Sequence, residues 1–369
     1  MQQFNVEFFT RNNLTFKHRD TVYDPIIDDD YISASTNTIE ISATTKVDNG
    51  DFISLRSDEY SFFGFVSDVS PGEFITTITY KPFIAIFDEP FLFNTNYQGT
   101  GSKVHPSLET TISSYITSLY INPSDSDSYQ KLPIRIAGVA SSTPRWSLNI
   151  TPDTEDTTYS IIHLYSVLLV DAMKKYGVCV RPVPDFSEHI VNLYIETRPS
   201  NFKIDADLDN VTVKTLKHND RPDGVNKLIL YNTEDYSMSL TYYVHSDRTF
   251  DTDNVKRIYP VVRDCQGISP DRDSEDPVEA FALSALDAAF SFLSGLNWDN
   301  LIELEVLLND PVIKPMELKI GQTVTVHYKE GKYSSMLTGK HYSSNVVTLI
   351  FGSERIQYSK RRRERQYGY

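Results

Sequence analysis

Between residues 300 and 352 apolar and polar positions alternate. Ile302, Leu304, Val306 and Leu308 share one face of an extended segment, with Glu303, Glu305 and Asn309 as polar punctuation. Asp310-Pro311 breaks this strand, and Pro315 sets a second extended approach. Gly321-Gln322 turns the chain into TVTVHY, where Val324 and Val326 share one face and Thr323 and Thr325 the other. Glu330-Gly331-Lys332 is a hairpin signal. Beyond it YSSMLTG and VVTLIFG complete a meander of four strands, a size suited to a small barrel.

Residues 48 to 82 carry the same parts in the same order. Gly50 precedes alternating FISL, a polar turn precedes Tyr60-Ser61, Gly64 follows, and Pro71-Gly72 leads into FITTITY. In the later stretch Gly321 precedes TVTV, a turn precedes Tyr333-Ser334, Gly339 follows, and a turn leads into VVTLIF. The spacings differ by a few residues, so this is a weak internal repeat and not a solenoid period. It predicts two related β modules, although two unrelated meanders would read the same way at this level.

The remaining stretches divide the chain. Residues 1–100 read as strands and polar turns, with Asp28-Asp29-Asp30 as a solvated turn lacking the ligand spacing of a calcium loop. From residue 101 to 187 the texture is α+β. One helix opens at Ser107 with Leu108, Ile112, Tyr115, Ile116 and Leu119 as its stripe. A second runs from Thr154 through Thr158, Ile162, Tyr165, Leu169 and Met173 to a C-terminal Gly177, with His163 inside it as a core or edge residue. Strand texture returns over 188–246. Residues 247–299 interrupt it with a polar loop, an acidic run from Asp271 to Asp276 read as a helix lead-in, and a helix capped by Asp276 with Pro277 at its first position. The predicted fold class is therefore α+β and β-rich. A first β-barrel module spans 1–100, and a second, split one spans 188–246 and 300–356. An α+β domain (101–187) and a helical segment (247–299) are inserted, and a tail closes the chain (357–369).

Composition narrows the function classes. At 369 residues, with about 150 residues per domain as a soft guide, the chain is long enough for several cores. A net charge of −15 makes the surface as a whole repel phosphate backbones, which argues against a duplex-binding face. Cys179 and Cys265 lack CxxC spacing and are expected to be free thiols. No basic segment followed by a long apolar run stands at the start and no stretch is apolar enough to span a bilayer, so neither a targeting signal nor a membrane-spanning segment is expected.

The sequence holds little that points to chemistry. GxSxG, HExxH, P-loop and GxGxxG patterns are absent from the sequence, and its eight histidines are scattered without ligand spacing. No catalytic, cofactor-binding or metal-binding residues are assigned, no cofactor is expected, and the chain is not expected to be an enzyme. The local anomaly is the tail QYSKRRRERQYGY. Lys360, Arg361, Arg362, Arg363 and Arg365 against Glu364 give it a net +4, leaving −19 for the remainder. These five residues are candidate assembly contacts with an acidic neighbour, against the plainer reading of a solvated end.

The wording VNKLILYNTEDYSMSLTYYVHSDRTF (225–250), RIYPVV (257–262), the helix near 276–293 and IELEVLLNDPVIKPMELKIGQTVTVHY (302–328) resembles the tail-hub proteins of siphophages. These are also called tail-associated lysin or Tal proteins, and are similar to the baseplate hub of contractile-tailed phages. The resemblance runs from the GDFISL meander to VTLIFGSER. It implies a homotrimer whose six barrels form a pseudo-sixfold ring, joined to a ring of distal tail protein. It also implies contact with tape-measure protein and with receptor-binding proteins of the baseplate, and passage of DNA without sequence-specific binding. The location implied is the distal end of the phage tail in the virion, after synthesis in the host cytoplasm. Many such hubs continue into a long hydrolase or fibre domain, whereas this sequence ends soon after Gly352, so lytic activity is not carried over. Two alternatives remain open at this stage: a cell-wall hydrolase, and a saccharide-binding receptor-recognition protein.

Overall fold

The computed structural model describes residues 2–94, 106–143, 146, 148, 159–218, 225–245, 249–259, 261–270, 276–293, 298 and 300–353. The chain begins with seven strands: β1 (Gln3–Phe9), β2 (Phe16–Tyr23), β3 (Ile27–Asp30), β4 (Asn37–Ser42), β5 (Phe52–Arg56), β6 (Ser61–Pro71) and β7 (Ile75–Pro82). Six of them form an antiparallel sheet in the order β2-β1-β5-β6-β7-β4. In NTIEIS of β4 buried and exposed residues alternate strictly, as one covered face requires. The sheet curls until its edge strands meet. There the Asp20 carboxylate on β2 accepts the backbone N–H of Ser42 at the end of β4 (2.9 Å) and the hydroxyl of Thr45 (3.3 Å).

A middle unit follows, with a tight turn Phe83–Phe87, β8 (Pro90–Asn94), α1 (Leu108–Ile116), β9 (Ile134–Val139), β10 (Tyr159–His163), α2 (Val170–Tyr176), β11 (Cys179–Asp185) and β12 (Ile190–Glu196). Ser107 caps α1 through the N–H of Thr110, and Gly177 ends α2 in the left-handed region (φ 68°), both as the sequence predicts. The helix predicted from Thr154 to Gly177 forms only in its second half, where a π-helical turn, Leu164–Leu169, runs into α2. Residues 154–158 lie outside the described residues, and Tyr159–His163 is a strand with alternating burial, paired with β8. Its Ile161-Ile162 pair fits a pleat as readily as a helix, and β8 offers an open edge to it. His163 thus ends a strand, with its Nδ1 3.3 Å from the Asp88 carbonyl.

The second barrel comprises β13 (Arg198–Asp205), β14 (Val211–His218), and, after an insertion, β19 (Asn300–Leu307), β20 (Gln322–Tyr328), β21 (Gly331–Ser343) and β22 (Val346–Phe351). The insertion itself holds β15 (Lys227–Asn232), β16 (Ser239–Val244), β17 (Phe250–Asp251), β18 (Arg263–Ile268) and α3 (Pro277–Leu293). The barrel sheet runs β13-β20-β21-β22-β19-β14. Its two edge strands are joined by the short link 206–210, so the sheet has to curl back on itself.

Counted along the chain without β3, the six strands of the first barrel lie in the order second, first, fourth, fifth, sixth, third. Those of the second lie first, fourth, fifth, sixth, third, second. Around a cylinder these are one cyclic order, opened at different points. Five of the six strands also share direction; the exception is β13, parallel to β20 where β1 is antiparallel to β5. The repeated glycines fall in equivalent places. Gly50 (φ 89°) and Gly321 (φ 85°) turn the chain into each fourth strand, and Gly64 and Gly339 lie in each fifth strand.

Boundaries differ from those expected. The first barrel closes at Pro82 and not near residue 100. HIVNLYIE belongs to the middle sheet, ordered β11-β12-β9, so the second barrel starts at Arg198 and not at 188. Strands β15 and β16, expected in the second barrel, pair instead with β17 and β18 and put Leu228, Leu230, Tyr242 and Val244 against Phe281, Ala285, Ala289 and Leu293 of α3. Alternation shows that a strand has one apolar face but not which element covers it. Asp276 does cap α3, accepting the N–H groups of Val278 (2.9 Å) and Glu279 (3.3 Å), while the acidic residues 271–275 lie outside the described residues. No helix among the described residues is long and apolar enough to cross a membrane.

Candidate assembly site at the seam between the barrels

Asp28-Asp29-Asp30, expected as a solvated turn, is a strand. β3 leaves the first barrel and pairs antiparallel with β21 of the second, matching Ile27 with Tyr342, Asp28 with His341, Asp29 with Lys340 and Asp30 with Gly339. Room for it exists because β20 pairs only with the first half of β21, up to Met336, leaving that edge of the second half open. Asn37, buried at the start of β4, sews the strap to its own barrel: its side chain accepts the Asp28 N–H (2.6 Å) and donates to the Asp28 carbonyl (2.9 Å).

Each strap residue has a distinct environment. Asp28 meets the His341 imidazole at 2.5 Å, and this hydrogen bond is the chief reason that the histidine is held above its ordinary value of 6.5. Burial pushes the Asp29 carboxyl up to about 6, partly offset by Lys340. Burial likewise pulls Lys340 down to about 8, although the ammonium donates to the carbonyls of Pro315 (2.8 Å) and Leu318 (2.7 Å). Asp30 folds back onto the N–H groups of Ile32 (2.9 Å) and Ser33 (3.2 Å). Tyr31 then reaches the middle unit, its carbonyl accepting from Tyr165 (2.7 Å) and its hydroxyl from the N–H of Val180 (3.1 Å). A run of five residues, 27–31, therefore ties three units together.

The barrels also share one hydrophobic core. Phe4, Val6, Phe8, Ile53, Leu55, Val66, Ile78 and Tyr80 are continuous with Ile204, Ile302, Leu304, Val324, Val326, Tyr342, Val347 and Phe351. At its centre the Tyr342 ring packs edge-on against Phe4 (centroids 5.2 Å apart) and beside Tyr60 (5.1 Å), and its hydroxyl donates to Gln2. The seam is thus apolar inside and charged at its edge, and holds the two barrels in one fixed relation.

The sequence-predicted contacts Lys360, Arg361, Arg362, Arg363 and Arg365 lie outside the described residues. The residues that build the seam were missed for a plain reason: no local pattern links position 28 to position 341. Cys179 and Cys265 are both free, the first buried and the second exposed.

The charged edge gives a prediction. Since the folded-state value of His341 is raised, its pairing with Asp28 stabilises fully below the ordinary value and is lost as pH rises through the raised one. His341→Gln is therefore expected to be less stable than the parent near pH 5 and to approach it by about pH 9. Urea midpoints measured across that range check this, and a constant difference between the two chains contradicts it.

No family model matches the chain, and no curated protein matches it. Solved structures do. One is a chain from the phage P2 baseplate in its activated conformation with Ca, 14% identical, covering 97% of this chain and 100% of that one, with a TM-score of 0.46. A 43 kDa tail protein of prophage MuSo2 from Shewanella oneidensis is 12% identical over 95% of this chain and 98% of its own, TM-score 0.46. Prophage tail protein gp18 from Listeria monocytogenes EGD-e is 11% identical over 99% of each chain, TM-score 0.46. The chain is similar over nearly its whole length to phage baseplate and tail proteins.

Proposed function

We propose that this protein is the hub of a phage tail tip, a structural protein that assembles as a homotrimer. The observation that carries the reading is the duplication: one chain holds two barrels of the same cyclic strand order, fixed to each other by the β3 strap and a common core. Three such chains present six similar barrels around a threefold axis, so the trimer mates with a sixfold ring on one side and a threefold tip on the other. The sequence resemblance to tail hubs supplies the partners: a ring of distal tail protein, tape-measure protein, and receptor-binding proteins around the rim. The hub closes the tube at the distal end of the virion tail and opens for ejection. Its acidic surface, −15 per chain, repels the phosphates of passing DNA, so the duplex slides without binding.

In this reading Lys360, Arg361, Arg362, Arg363 and Arg365 dock on carboxylates of a neighbouring subunit, where charge-assisted arginine pairs act at short range. The test is the native mass of the purified tail-tip assembly, measured for the full chain and for a chain lacking residues 360–369. Three copies per tip, with reduced incorporation of the shortened chain, is the expected result. A stable dimer or tetramer at the tip contradicts the trimer, and normal incorporation of the shortened chain removes the arginines from the interface.

A further inference from the structure

A cavity of about 650 Å³ lies where the two barrels and the middle unit meet. Its size is that of a small-molecule site, and its wall has two characters. Phe62, Phe63, Phe83, Ile84, Met316 and Leu318 give it an apolar side. Among the described residues Arg56, Arg181, Arg198, Lys319 and Lys340 bring five cations to it, against Asp29 as one carboxylate. In a chain of net charge −15 this is a local inversion of sign.

The protein neutralises this wall only in part. Arg181 and Arg198 share a single carboxylate, Glu196, through their Nε atoms at 3.1 and 2.8 Å. Lys340 spends two donors on carbonyls and faces Asp29 across the strand pair. Lys319 reaches the Met316 carbonyl (3.2 Å), and Arg56 donates to Ser54 (3.0 Å) while its guanidinium lies over Phe186; neither makes an ion pair with a described residue. Cations without carboxylates beside an apolar wall are the complement of an amphipathic anion that brings acceptors of its own.

We propose that this cavity binds a small organic anion, with a phosphate, sulfate or carboxylate group held by Arg56 and Lys319 and an apolar or aromatic body on the phenylalanine side. Because the wall is drawn from all three units, the ligand bridges them and stabilises their mutual arrangement by mass action.

The probe is 1-naphthyl phosphate, titrated by fluorescence into the full-length protein, with neutral 1-naphthol and inorganic phosphate alongside. One saturable site per chain is expected, with a rise in Tm and with weaker binding of both comparison compounds, since each offers half of the complement. Arg56→Gln and Lys319→Gln, each keeping a hydrogen-bonding side chain, should weaken the probe about tenfold apiece, the usual effect of removing a charged hydrogen bond. Lys203→Gln, which lines no part of the cavity, should leave it unchanged. Two unaffected cavity variants would overturn the site, and 1-naphthol binding as tightly as its phosphate would overturn the anion. Inorganic phosphate matching the probe would remove the apolar half of the assignment. Because Lys319→Gln alters no core contact, the proposal stays testable even if Arg56→Gln fails to fold.

Discussion

Lys340→Met is expected to lower the stability of the protein by about 2–4 kcal/mol near neutral pH, since two carbonyls lose a charged donor at about 1–3 kcal/mol each. Methionine keeps the length of the side chain, so the loss arises from charge and hydrogen bonding and not from a cavity. Three groups lose a partner together: the Pro315 and Leu318 carbonyls lose their donor, and Asp29 loses its facing cation. The pH dependence identifies the cause. Asp29 is already pushed up to about 6 by burial with Lys340 present; without that cation its value rises further. A carboxyl raised in the folded state makes folding more favourable as pH falls through that raised value, because the folded form takes up the proton more readily. The deficit should therefore shrink as pH drops from about 7 towards 4. Denaturant unfolding at several pH values decides it, and a deficit independent of pH would assign the loss to the carbonyls alone.

In the parent the pair acts in the opposite sense to the usual surface ion pair. Both groups are displaced towards neutrality, Asp29 up to about 6 and Lys340 down to about 8, which means that desolvation outweighs their mutual attraction. Between those values the pair contributes least, and its contribution improves on either side. What it supplies is register. Only the pairing that sets Asp29 against Lys340 also sets Asp28 against His341 and Ile27 against Tyr342. A slip of one residue would turn Ile27 and Tyr342 out of the core and leave the charges unmatched.

The contrast between what the sequence revealed and what it hid follows from the range of each interaction. The repeat was legible because it rests on short-range turn chemistry. Gly50 and Gly321 each take a positive φ that other residues adopt with strain, and the extended segments FISL, buried throughout, and TVTV, alternating, follow them. The cap of α3 was legible for the same reason, since Asp276 and the N–H groups it accepts lie within three residues of each other. Membership of a sheet was not. The alternation of KLILYN looks the same whether it faces a barrel interior or α3, and only the fold decides. Asp28-Asp29-Asp30 misled most. Three successive acids read as solvated, yet His341, Lys340 and the Asn37 amide, all distant in sequence, make a strand of them.

Tyr342→Ala should cost about 3–5 kcal/mol, as for other large aromatic-to-alanine changes in a core, and should also separate the two barrels energetically. Tyr342 is fully buried on β21 of the second barrel, but its ring contacts, Phe4 and Tyr60, belong to the first. Truncation opens a void on the seam itself, so it weakens the coupling between the barrels more than either barrel alone. In the parent one continuous core predicts that both barrels open together, giving similar hydrogen-exchange protection to β5 and β20. In the alanine variant the two strands should diverge, while Tyr342→Phe, which keeps the ring and loses the hydroxyl's bonds to Gln2 and to the Asn345 N–H, should cost about 1–2 kcal/mol and keep them together. Exchange followed by mass spectrometry on peptides covering 52–56 and 322–328 reads both effects. In the proposed hub role divergence bears on assembly, because six barrels would match a sixfold ring only if each pair keeps its spacing. A variant that folds but whose barrels open separately should enter tail tips poorly. If β5 and β20 still exchange in step after Tyr342→Ala, the seam is held elsewhere, and the strap alone accounts for the fixed pair.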